Sequence, residues 1–147
     1  MNCPLNWKPF DGHCYRLVTK ELTWTEAENF CQQLNSLRVE ASHLASIHSD
    51  EENQFIVELV QTSEQVVPAT GFWLGFNDIQ NEGTFSWNDG SFVTYTNWEE
   101  LQPDNAGKNG DVDCAILAAY YTWKWEDRGC FAPCFFVCKG RPSWGNN

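Results

Sequence analysis

The chain has 147 residues, 42% of them hydrophobic, enough to bury one continuous core and too few for two well-developed domains. Eight Trp, ten Phe and four Tyr exclude a disordered chain, which lacks large apolar groups. Twenty acidic residues against nine basic give a formal charge of -11, which repels nucleic-acid phosphates and anionic lipid, so neither nucleic acid nor a membrane is an expected partner.

Seven cysteines in so short a chain point to an oxidising compartment, because a cytosolic thiol set usually carries C-x-x-C or Cys/His metal spacing and none occurs here. His13, His43 and His48 are scattered among non-ligand neighbours, which argues against zinc. Met1 stands directly before a sequence of mature character and is expected to be an added start residue. There is no long apolar span and no N-x-S/T sequon. Secretion is expected from the cysteines alone.

Along the chain, Cys14-Tyr15-Arg16-Leu17-Val18 reads as a strand that a disulfide could close into a small hairpin. Thr23-Trp24-Thr25-Glu26 is a capping box, and Trp24, Ala27, Cys31 and Leu34 share one helical face behind it. A strand is expected over His43 to Ile47. Ser49-Asp50-Glu51-Glu52 then forms a second capping box, with Phe55, Ile56, Leu59 and Val60 as the apolar stripe of a helix ending near Gln61. From Gly71 helical periodicity gives way to short aromatic strands, Phe72 to Phe76 and Phe85 to Gly90, separated by Asn, Asp and Gly. Glu99 to Asp113 is an acidic stretch without strand pattern, the kind of long loop that is usually functional or disordered, and Cys114 tethers its end. Ala115 to Trp125 reads as a hairpin with Tyr120, Tyr121 and Thr122 near its tip, and Phe135 to Cys138 as a closing strand. Two helices leading and antiparallel strands following make an α+β pattern.

Over nearly its whole length the sequence resembles the C-type lectin-like domain in its long form, with an added N-terminal cysteine pair. Phe72-Trp73-Leu74-Gly75-Phe76 stands where that family has its WIGL motif, Trp87-Asn88-Asp89-Gly90 where it has WSDG, and Trp125-Glu126-Asp127 where it has WND. The resemblance implies a single domain over residues 1–147, two helices packed on small antiparallel sheets, a long loop region and disulfide staples. It pairs Cys3 with Cys14, Cys31 with Cys138 and Cys114 with Cys130, leaving Cys134 over. A Cys31–Cys138 bridge across about a hundred residues is worth on the order of 4 to 5 kcal/mol in the chain-entropy model. The odd thiol has two outcomes, a buried inert group or an interchain bridge that makes a disulfide-linked homodimer.

The resemblance also implies a carbohydrate-binding protein with glycans or glycoproteins as partners. Gln102-Pro103-Asp104 occupies the place of a loop tripeptide with a cis proline whose flanking oxygens hold Ca²⁺ and, through it, vicinal sugar hydroxyls. In this family QPD goes with galactose and N-acetylgalactosamine, and EPN with mannose. Gln102, Asp104 and Asp127 are the expected ligands there. Glu126 stands in place of the WND asparagine, Val112 replaces a ligating glutamate, and Asp111 is the nearest substitute. Asp78, Glu82 and Asp113 match a second calcium position, at which Asn105 replaces an aspartate. Six to eight oxygens are needed at each.

A calcium-free site stands beside this reading, because Lys108, Lys124 and Arg128 are available to neutralise the same carboxylates. A galactose site needs an aromatic face. None lies in Ala106-Gly107-Lys108-Asn109-Gly110, which leaves Tyr120, Tyr121 or Trp123 of the hairpin as stacking candidates and Trp125 as core. The rival from another class is a lectin-like domain that lost calcium-dependent sugar binding and binds protein, ice or another ligand. An enzyme is not expected, since no nucleophile has a recognisable context and no opposed carboxylate pair marks a glycosidase cleft.

Overall fold

The computed structural model describes residues 3–34, 38–63, 71–103 and 113–143. Lys8–Phe10 (β1) and His13–Leu22 (β2) form a hairpin whose two-residue turn, Asp11-Gly12, holds φ of 46° and 83°. Both values are left-handed, as a primed turn requires. Helix α1 (Trp24–Gln33) starts on the expected capping box. Thr23 Oγ1 accepts from the Glu26 N–H at 3.3 Å, while the Glu26 carboxylate accepts from the Thr23 N–H at 3.0 Å. Leu34 is its C-cap, so the buried face ends at Cys31.

Strand β3 (Val39–Leu44) begins earlier than the expected His43 to Ile47, because its ladder on the last strand starts at Val39 and is broken between Glu40 and His43. Residues Ala45 to Ile47 are buried beyond it. Helix α2 (Asp50–Gln61) forms only half of its capping box. Ser49 Oγ accepts from the Glu52 N–H at 3.0 Å, but Glu52 is buried, and its carboxylate turns to the His48 N–H, Tyr15 and Lys139 instead.

The strands β4 (Gly71–Asn77), β5 (Ser86–Trp87), β6 (Asp113–Ala118), β7 (Lys124–Gly129) and β8 (Cys134–Pro142) complete one sheet in the order β1-β2-β8-β4-β6-β7, with β3 on β8 and β5 on β4. Among these strands every pairing is antiparallel except β4 with β8, which is parallel, so the sheet is mixed. Of the aromatic run at 85–90, only Ser86 and Trp87 pair with β4. The remainder turns, with Gly90 at φ 86°.

β4 is buried along its whole length, which suits a central strand covered on both faces. Burying each of Phe72, Leu74 and Phe76 contributes about 1.5–3 kcal/mol. Gly75 is required here, since a Cβ would meet Leu44 O at 2.8 Å. Trp125 is fully buried and donates from Nε1 to Asn53 Oδ1 at 2.9 Å, tying β7 to α2. The three disulfides are the implied ones. Cys3–Cys14 closes the first hairpin, Cys31–Cys138 joins α1 to β8, and Cys114–Cys130 joins β6 to the end of β7.

Candidate functional site

The end of β4 and the start of β6 meet where the acidic loop returns to the sheet. Asp78 follows β4 and Asp113 opens β6, and their backbones bond directly, the Asp78 N–H donating to Asp113 O at 3.1 Å. The Asp78 carboxylate is aimed by two N–H donors, from Asp113 to Oδ1 at 2.8 Å and from Gly83 to Oδ2 at 3.0 Å. Gly83 was not singled out from sequence. Its signal was the Asp78-to-Gly83 turn that carries Glu82, with a φ of 86° at the glycine.

Carboxylate oxygens of Asp78, Glu82 and Asp113 lie within 4.8 Å of one another. Ligand oxygens at 2.3–2.6 Å from a calcium ion can be up to about 5 Å apart, so this donor set fits the ion. Each oxygen that already accepts an N–H keeps a second lone pair for a metal.

The same carboxylates line a cleft of about 210 Å³ that also takes in Phe85, Pro103 and Asp127. Asp78, Asp113 and Asp127 are 2%, 1% and 1% exposed, while Glu82 is at the surface. No Lys or Arg is among the described residues lining it. Gln102 joins the cleft edge through its side chain, whose Oε1 accepts from the Asp127 N–H at 3.2 Å, and the Gln102-Pro103 peptide is cis. The Gln102 side chain and the Asp127 backbone are thereby brought together. Asp104, Asn105, Lys108, Asp111 and Val112 lie outside the described residues.

Glu126 and Trp123 are placed elsewhere. Side chains alternate along β7, so Trp125 and Asp127 point inward while Glu126 and Arg128 face the other way. There the Tyr120 hydroxyl donates to Glu126 and accepts from Arg128 Nη2 at 3.0 Å. Burial and the Glu126 carboxylate raise the Tyr120 pKa. Arg128 is thus committed away from the cleft, and its Nη1 also donates to Cys134 Sγ at 3.5 Å. Trp123 stacks on Phe72 beside α2, in a different cleft. The backbone of Tyr121 belongs to a 3-10 turn, Ala119–Tyr121, and its side chain lies outside the described set.

Cys134 is the free cysteine. It is buried at 4% exposure, and burial raises its pKa. In this conformation the thiol does not offer the surface position that an interchain bridge needs.

The family described as Lectin C-type domain matches residues 20–140. The chain belongs to the C-type lectin family. The C-type lectins among its relatives are carbohydrate-binding proteins that catalyse no reaction. This C-type lectin domain is 35% identical to echinoidin of Heliocidaris crassispina, over 97% of this chain and 98% of that one. It is 38% identical to the alpha-N-acetylgalactosamine-specific lectin of Patiria pectinifera, over 90% of this chain and 77% of the relative. Its fold superposes on the crystal structure of the C-type lectin CEL-I from Cucumaria echinata with a TM-score of 0.84 at 31% identity, covering 95% and 98% of the two chains. Among the described residues no helix is long and apolar enough to cross a membrane.

Proposed function

We propose that this secreted C-type lectin binds galactose or N-acetylgalactosamine residues of glycans and glycoproteins at the loop that carries Gln102-Pro103-Asp104. Gln102, Asp104 and Asp127 form the primary site with Asp111, and Asp78, Glu82, Asn105 and Asp113 hold a second ion. The observation that carries this reading is the convergence of the carboxylates of Asp78, Glu82 and Asp113 in the cleft that Pro103 and Asp127 also line. Crowded buried carboxylates favour a nearby positive charge, and of the described hairpin cations Arg128 bonds Tyr120 and Lys124 lines a separate cleft.

When bound, Ca²⁺ supplies positive charge and open coordination positions for two sugar hydroxyls. The chain contributes the ordering of acceptors. An amide oxygen and a carboxylate on either side of Pro103 impose a donor and acceptor pattern on those hydroxyls. The ligand specificity is supported by the N-acetylgalactosamine-specific lectin among the relatives.

The test is calorimetric titration of N-acetylgalactosamine and galactose with Ca²⁺ and with chelator. Binding in Ca²⁺, its loss in chelator and its loss in Asp104→Ala with an unchanged circular dichroism spectrum are expected. Binding that survives chelation but not Asp104→Ala moves the reading to a calcium-free loop. Failure of both sugars in both conditions leaves the alternative, a lectin-like domain that binds protein or another ligand.

A further inference from the structure

Thr122 and Trp123 follow the 3-10 turn at the tip of the β6–β7 hairpin, and both hold left-handed φ values, 56° and 66°. That conformation is costly for a bulky aromatic residue and persists only where the surroundings enforce it. Here the Trp123 N–H is held by Ala118 O at 3.0 Å. Phe72 backs the indole, with ring centroids 6.3 Å apart and planes inclined at 28°. Trp123 stays half-buried and lines a cleft of about 450 Å³ between α2 and the hairpin tip.

Around the indole stand Asp50, Gln61, Asn97, Thr122 and Lys124. The Asn97 and Gln61 amides form no hydrogen bond among the described residues, while one Asp50 oxygen accepts from the Tyr95 hydroxyl at 2.5 Å. A side-chain amide presents a donor and an acceptor side by side, which matches neighbouring sugar hydroxyls, and a backed indole matches the apolar face of a sugar ring. An apolar partner is better served by the groove along Pro9, Phe55 and Leu59. The cleft is lined by one acid, Asp50, and one base, Lys124, and the chain as a whole carries -11, so an anionic glycan is disfavoured.

We infer that this cleft is a second glycan subsite, binding neutral oligosaccharide without a metal ion, with Trp123 as platform and Asn97, Gln61 and Asp50 as hydroxyl partners. It is separate from the Gln102 loop. The two clefts share no lining residue, and Trp123 stands four positions before Asp127, roughly 13 Å along the strand direction. The subsite does not depend on the loop reading.

The test is a nitrogen-15 NMR titration in chelator with galactotriose, maltotriose and chitotriose. At least one trisaccharide is expected to shift Trp123 Nε1–H and the Asn97 and Gln61 side-chain amides saturably. Trp123→Ala should weaken that binding about tenfold. Asn97→Ala should weaken it about fivefold and leaves the indole stacked, so it keeps the test intact if the tryptophan variant misfolds. The shifts should persist in Asp104→Ala. No saturable shift with any of the three sugars, or shifts that vanish in Asp104→Ala, would overturn the subsite. A response at Trp123 with none at the Gln102 side chain, repeated in Ca²⁺, removes the loop reading alone, and a response at Gln102 alone removes this one.

Discussion

Glu52 and Asp113 are both buried carboxylates about which the chain arranges very different company. Glu52 Oε2 accepts from Lys139 Nζ at 2.6 Å and from the Tyr15 hydroxyl at 2.5 Å, and Oε1 accepts from the His48 N–H at 2.8 Å. Lys139 Nζ also donates to Ser46 O at 3.1 Å, so both members of the pair are hydrogen-bonded beyond each other. That is the condition under which buried charge is tolerated. Asp113 lies instead among Asp78, Glu82 and Asp127, in a cleft whose described lining holds no lysine or arginine. A fold that surrounds one buried acid with its own lysine has set several others together around a separate cleft. The first cluster joins α2 to β8 and acts on stability, and in the proposed reading the second takes a cation from outside.

The largest expected effect comes from breaking the self-neutralised cluster. Lys139→Met leaves Glu52 buried without its ammonium and should cost about 3–5 kcal/mol in urea unfolding. Adding Glu52→Gln to that variant should recover part of the loss. A single-variant loss below about 1 kcal/mol would show that the two clusters do not differ as described.

The carboxylate cleft should respond to the ion and not to Lys139. At a Ca²⁺ concentration a hundred times its dissociation constant, one occupied position adds about 2.7 kcal/mol, read as a rise in thermal midpoint that chelator reverses. In Asp113→Asn the rise should shrink, while in chelator that variant should be at least as stable as the unaltered chain, because like-charge repulsion is relieved. An Asp113→Asn protein that is destabilised in chelator and keeps the full calcium response would equate the two clusters.

The smallest effect concerns two histidines of opposite sign around the first cluster. The hydrogen bond to Glu28 at 2.6 Å raises the His43 pKa above its ordinary 6.5, against the opposing effect of burial. Its stabilisation is therefore full below that ordinary value and fades as pH rises through the raised one. His48 is lowered, by burial first and Lys139 second, so its contribution is present above 6.5 and fades as pH falls to the lowered value. His43→Gln should remove less than about 1 kcal/mol, since the pair is partly exposed, and only on the acid side. Urea midpoints at about pH 5.5 and about pH 8 read it, and an equal loss at both would assign His43 to packing alone.

Sequence alone determined what depends on near neighbours and on pattern. The capping contacts of Thr23 and Ser49, the Asp11-Gly12 turn and the aromatic strands are set within a few residues, where backbone hydrogen bonding and side-chain period leave few options. The family motifs carried the disulfide pairing and drew attention to Gln102 and Asp127. Tertiary structure decided the rest. Glu52 reads as the end of a capping box, but its partner Lys139 is 87 residues away and only the sheet brings them together. Glu126 is adjacent to Asp127 in sequence, yet the pleat of β7 sends it to Tyr120. Trp123 follows the acidic loop closely along the chain, but the left-handed turn at the hairpin tip lays it against Phe72 and α2. Local chemistry is written in short-range order, whereas the company a side chain keeps is set by long-range packing that no single segment encodes.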